Sequence, residues 1–187
     1  GFGAATSAAA KDPAVSAPNL KVIAEAGENT NDSAWVAGGG LTLPIGERWG
    51  LQVEGGAAGI GGDSIYGTAG HLFTRDPESY LLGIYAAYAS EENFGIDATR
   101  VGAEAEIYLN QISLLAKAGY QFSSSTNEGA FGDIELKWYV SDNFAVSAGA
   151  AIDEKETLGH GSIEWQPGFS ALPGLAFRVD GSVGDDD

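Results

Sequence analysis

The 187-residue chain lacks cysteine and methionine, has only 6 prolines, and carries 9 Lys plus Arg against 26 Asp plus Glu. Without a thiol it can form neither a disulfide nor a Cys-ligated zinc or iron–sulfur site. Its basic residues are scattered singly within a net charge of -17, which repels phosphate backbones and excludes nucleic acid as a partner. No stretch reaches the ~18 to 20 consecutive apolar residues that a membrane-crossing helix needs. Any membrane role is therefore left to strands or to a surface attachment. The chain starts at Gly1 with no charged-then-apolar leader, as expected of a trimmed sequence or an exported one whose signal peptide is gone.

What is present is 44% hydrophobic residues and 28 glycines, enough apolar surface for one folded domain. Residues 1–18 are small, contain prolines and show no period, the pattern of a flexible N-terminal segment preceding a domain over 19–187. From Asn19 onward apolar residues recur at every second position, the period of a strand. In one run Val101, Ala103, Ala105, Ile107 and Leu109 share a face, opposite Arg100, Gly102, Glu104, Glu106 and Tyr108. A helix would smear those charges around its circumference.

Eleven strands are expected, over 20–27, 33–43, 49–60, 65–74, 79–90, 97–109, 111–122, 129–140, 143–152, 157–166 and 174–184. Their connections alternate in character. GENTND, GGDS, SEENFGID, SSSTNEG, DEKE and GDDD fall at one end, with Lys155 as their one base, and PIGER, RDPES, NQ, SDN and PGFSALP fall at the other. Trp49, Phe73, Tyr80, Tyr108, Trp138, Tyr139, Phe144 and Trp165 lie beside the second set, whereas Trp35, Tyr66, Tyr88, Phe94, Tyr120, Phe122 and Phe131 lie nearer the first. A soluble lipocalin-like or sandwich fold places its rings in mid-core. Rings sorted to strand ends instead suit the two interfaces of a bilayer. The expected fold class is all-β, an antiparallel transmembrane β-barrel. Both eleventh-strand direction and the even strand count of single-chain barrels point to about twelve strands when complete.

The segments GHLFTRDPESYLLGIYAAY, RVGAEAEIYLNQISLLAKAGYQF and LKWYVSDNFAVSAG resemble porin-like outer-membrane β-barrel proteins of Gram-negative bacteria. The resemblance lies in hairpin style and extends over most of the chain after residue 19. It implies the bacterial outer membrane as location. Similar proteins continue past the last acidic loop into a closing strand with an aromatic end, a pattern from which this chain departs at Asp187.

If the apolar faces meet lipid, the lumen receives Glu25, Glu54, Glu104, Glu106, Asp133, Glu135, Glu164 and Asp180 against Lys21, Arg100, Lys117, Lys137 and Arg178, with His71 beside them. These are the candidate pore-lining residues. Such charges pair across strands and either leave a hydrated channel or fill it. The first outcome is a passive diffusion pore for small hydrophilic solutes, weakly cation-selective; the second is a non-conducting anchor, adhesin or assembly partner. His160, Ser162 and Glu164 share one face two residues apart. Same-face neighbours in one strand stand ~7 Å apart, too far for a nucleophile and its base, so catalysis is not expected. Asp153, Glu154, Glu156 and Asp185, Asp186, Asp187 do not have the spacing of a calcium loop. They read as a solvated acidic surface, with divalent cations bridging to lipopolysaccharide phosphate as a further option. GGGL and GIGG lack the lysine and helix of a phosphate loop. No cofactor is expected.

Overall fold

The structure, a computed structural model, describes residues 13–29, 32–91, 95–124, 128–167 and 176–184. Eleven strands follow in chain order: β1 (Asn19–Asn29), β2 (Asp32–Ile45), β3 (Trp49–Ile60), β4 (Asp63–Asp76), β5 (Tyr80–Glu91), β6 (Ile96–Leu109), β7 (Ile112–Ser123), β8 (Gly129–Ser141), β9 (Phe144–Ile152), β10 (Thr157–Trp165) and β11 (Phe177–Gly184). They form one sheet in sequential order, each strand antiparallel to the next. No described helix is long and apolar enough to cross a membrane. The fold is all-β and of β-barrel type, curled so that strands two places apart touch across its concave side.

Several turns are tighter than the connections read from sequence. Pro44 and Ile45 continue β2, Asp63 and Ser64 begin β4, and Arg75 and Asp76 end it. The β3–β4 turn is Gly61–Gly62, both with positive φ (60° and 102°), the backbone that a two-residue hairpin in a right-twisted sheet requires. Asn110, at φ 55°, serves the β6–β7 turn because its short amide tolerates that region. The start of the eleventh run, at 174–175, lies outside the described residues, as do 30–31, 92–94 and 185–187 of the acidic loops.

The two-residue period and the register together place the apolar side chains outward. Leu82 pairs with Ala105 and Thr74, and Ile84 with Ala103 and Leu72, forming an exposed band. Ile84 is 61% exposed, whereas Glu104 on the opposite face is 9% exposed. A soluble sandwich would invert this, since water favours charge outside. Trp35, Tyr66, Tyr88, Tyr120 and Phe122 ring one end of that exterior, and Trp49, Tyr80, Trp138 and Trp165 ring the other. Trp165 stacks on Phe177, with centroids 5.9 Å apart. Trp35 pairs with Gly59, ten residues from Trp49 on β3. That is about 33 Å along the strand and about 25 Å in height at the usual tilt of about 40°. Register corrects part of the aromatic reading. Phe73 is buried, Tyr108 and Tyr139 line the interior, and so does Phe131; Phe94 lies outside the described residues.

The acidic connections and the tight turns occupy opposite ends. The ends differ in acidity and not in length alone, since Gly61–Gly62 is a two-residue turn at the acidic end and residues 166–176 join β10 to β11 at the other. If the exterior is lipid-facing, the acidic end is expected to be extracellular and the other periplasmic. A single cysteine at Glu154 should then react with an impermeant thiol reagent on intact cells, and one at Asp142 should not. The opposite labelling would reverse the orientation.

Candidate functional site

Among the sequence candidates, Lys21, Glu54, His71, Arg100, Glu104, Glu106, Lys117, Asp133, Glu135, Lys137, Glu164, Arg178 and Asp180 all take the face opposite the apolar exterior by register. The Glu25 side chain lies outside the described residues, although its backbone pairs with Val36. The contacts gather these residues into two clusters.

The first crosses the mid-height of β2 to β7. Thr42 Oγ1 donates to Gln52 Oε1 at 3.0 Å, and Gln52 Nε2 donates to Glu54 Oε1 at 2.6 Å. His71 Nε2 lies 3.8 Å from Glu54 Oε2, its Nδ1 lies 2.9 Å from Glu104 Oε1, and Glu104 Oε2 lies 3.9 Å from Lys117 Nζ. The result is a polar belt with His71 bridging two carboxylates. Sequence alone offers His71 no partner, since Glu104 stands 33 residues away. The ring also stacks on Tyr85 at 5.5 Å, and Lys117 Nζ sits 5.6 Å over that same Tyr85 ring.

The second cluster spans β8 to β11. His160 Nε2 is 3.1 Å from Asp133 Oδ2, and its Nδ1 is 3.7 Å from Glu135 Oε2. Ser147 Oγ donates to Glu135 Oε2 at 3.1 Å and shares a 2.8 Å hydrogen bond with Ser162 Oγ. Lys137 Nζ pairs with Glu164 at 3.1 Å, and Arg178 pairs with Asp180 at 2.6 Å. The serines bond to each other and to a carboxylate, while both imidazole nitrogens face carboxylates. The imidazole is thus oriented by carboxylates and not by a hydroxyl.

Of the cavities along the concave side among the described residues, two flank the polar belt. One, of about 1060 Å³, occupies the tight-turn half and is lined by Gln52, Phe73, Arg75, Glu106, Tyr108 and Tyr139, among others. The other, of about 550 Å³, lies toward the acidic loops and is lined by Tyr85, Arg100, Phe131, Asp133, Asp153 and Glu156. Both touch Glu54, His71, Leu115 and Lys117, so the polar belt is the waist between them. Arg100 holds the upper wall: Nε donates to Gln121 Oε1 at 2.5 Å, and the guanidinium lies 5.0 Å from the Phe131 ring centre.

His160 and Ser162 take the interior face of Glu164, as the sequence places them, whereas Gln52, Arg75, Tyr85, Gln121, Phe131 and Ser147 are not among the sequence candidates for that face. Each of these six shares the parity of a charged neighbour on its own or the paired strand; alternation read through to uncharged residues finds five of them, and Arg75 joins them because β4 extends through Asp76 instead of ending before the turn. Among the described residues no group of three or more His, Asp or Glu is arranged to hold a metal ion. In the β9–β10 loop Asp153 Oδ1 accepts the backbone N–H groups of Lys155 and Glu156, each at 2.9 Å. The bond from Lys155 leads in holding this carboxyl below its ordinary pKa, because a hydrogen-bonded carboxylate resists protonation. The carboxylate thus closes its own turn.

Of the N-terminal segment, residues 13–18 are described and 1–12 lie outside the described residues. Over 13–18 it sits in the tight-turn mouth, where Ala14 is 2% exposed and its N–H donates to the Glu47 carbonyl at 3.1 Å. Compared with known proteins, the chain matches no family model, no curated protein and no solved structure.

Proposed function

We propose that the chain is an outer-membrane pore for the passive diffusion of small hydrophilic solutes, weakly selective for cations. The carrying observation is the pair of cavities that meet at the Glu54–His71–Glu104–Lys117 waist, behind a wall whose other face is apolar. A polar interior of that kind hydrates a solute across a bilayer, and the apolar exterior with its two aromatic rings suits lipid. The resemblance to porin-like barrels supports the same reading. Lumenal acids outnumber bases, and Asp153 and Glu156 add to the acid at the loop-side cavity. Cations are therefore concentrated inside.

Conductance across a planar bilayer tests the proposal. The expected result is an ohmic pore whose reversal potential in a salt gradient favours potassium over chloride. The preference should fall as the Debye length shrinks from ~10 Å at ~0.1 M salt to ~3 Å at ~1 M. Chloride preference would refute the selectivity. A folded but silent barrel would refute the pore, returning the chain to a non-conducting anchor or assembly partner closed by its own ion pairs.

A further inference from the structure

Residues 13–18 run through the tight-turn mouth bracketed by Pro13 and Pro18, and they line the larger cavity together with Asn19, Phe73, Pro77 and Leu81. Three independent observations seat them there. Ala14 is 2% exposed although it belongs to no strand. Its N–H donates to the carbonyl of Glu47, in the β2–β3 turn. Gly50, on the inner face of β3, leaves the room that Val15 and Phe73 fill: a Cβ there would fall 2.7 Å from Val15 Cγ2 and would also run into the Phe73 ring.

The two prolines restrict the backbone at either end of the segment, so holding it extended costs less conformational entropy than a free tail would. It has no ladder of its own, and one backbone hydrogen bond to the barrel is a slender attachment compared with a strand. Segments so attached open at lower free energy than the sheet that carries them.

We propose that residues 13–18 form a strap across the tight-turn mouth that sets the largest solute the lumen admits. The proposal rests on the pore reading. Its determinants are Ala14 and Val15 on the strap and Gly50 and Phe73 on the wall. Solutes that pass the charged waist still meet this narrowing, and displacing it widens the path without altering the waist charges.

The test compares the parent, a variant lacking residues 1–18, and Gly50→Ala, in which a methyl group competes with the Phe73 ring and with Val15, both determinants of the narrowing, for one space. Single-channel conductance and the largest neutral sugar admitted to proteoliposomes are measured for each. The deletion is expected to raise conductance roughly twofold and to raise the size limit, with cation preference kept. Gly50→Ala should move both in the same direction by less, and it serves alone should the deletion fail to fold. Unchanged conductance and size limit in folded variants would overturn the strap. If none of the proteins conducts, the pore reading fails and the size limit falls with it. The seating is then read separately from Ala14→Cys, whose thiol is the chain's sole one. Slow reaction with a bulky maleimide, accelerated by adding Gly50→Ala, would support the strap; equally fast reaction in both would overturn it.

Discussion

Replacing Glu104 with alanine is expected to destabilise the barrel by about 1–3 kcal/mol and, on the proposed pore reading, to weaken the cation preference at the same time. Glu104 is 9% exposed, its Oε1 meets His71 Nδ1 at 2.9 Å, and its Oε2 lies 3.9 Å from Lys117 Nζ. Removing the carboxylate takes away the hydrogen-bond partner of His71 Nδ1 and the β6 carboxylate beside Lys117 Nζ, leaving Glu54 as the remaining carboxylate beside the imidazole. The penalty is that of stranding polar groups in a confined interior, which exceeds what the contact contributes when intact. Glu104→Gln separates the two effects, because an amide oxygen still accepts from His71 but carries no charge. It should recover part of the stability and none of the selectivity. Glu106→Ala is the comparison: its carboxylate receives the Tyr108 hydroxyl at 3.3 Å, and its loss should cost less. Denaturant unfolding in detergent and reversal potentials in a salt gradient provide the two readouts. Glu104→Ala within about 0.5 kcal/mol of the parent would place it among ordinary surface changes and remove the belt as a stabilising feature.

In a bilayer, the backbones of β1 and β11 at Val22 and Val179 should lie about 10 Å apart, the width of two interstrand spacings. Among the described residues β1 pairs with β2 and β11 with β10, and the sheet order closes neither edge on the other. Both strands run from the tight-turn end toward the acidic loops, since Asn19 pairs with Thr42 and Phe177 with Trp165. They are parallel to each other, so an antiparallel cylinder closes only with one inward-running strand seated between them. The edges are correspondingly bare: Val22 is 76% and Val179 72% exposed, against 50% for Val53 and Ile134 within the sheet. Unpaired backbone groups in hydrocarbon cost on the order of several kcal/mol each, so an open seam does not persist there. Spin labels at the two positions in native membranes report the separation after allowance for label length. A backbone separation near one spacing, about 5 Å, would mean that β1 and β11 pair directly and that the twelve-strand count is wrong.

Much of this architecture is local and so was legible in the chain. Arg100, Glu104 and Glu106 alternate with Val101, Ala105 and Ile107, and a two-residue period assigns them to opposite faces whatever the neighbouring strands do. The strand order followed because short connections join antiparallel neighbours. Strand ends were less legible, as at Pro44 and Arg75, because a hairpin extends until backbone twist and a residue such as Gly61 or Asn110 permit reversal. Tertiary structure decided what depends on curvature and on distant segments. Phe73 and Trp49 both lie near the tight turns, but their parity sends one ring into the interior and leaves the other on the exterior. His71 reaches Glu104 across the intervening β5 because the sheet curls its inner side chains together, a distance that no spacing along the chain encodes. The seating of Val15 against Gly50 has the same origin, since a residue without a side chain announces no cavity until another segment fills it. Alternation along one strand determined the faces; register and curvature determined which residues on a face meet.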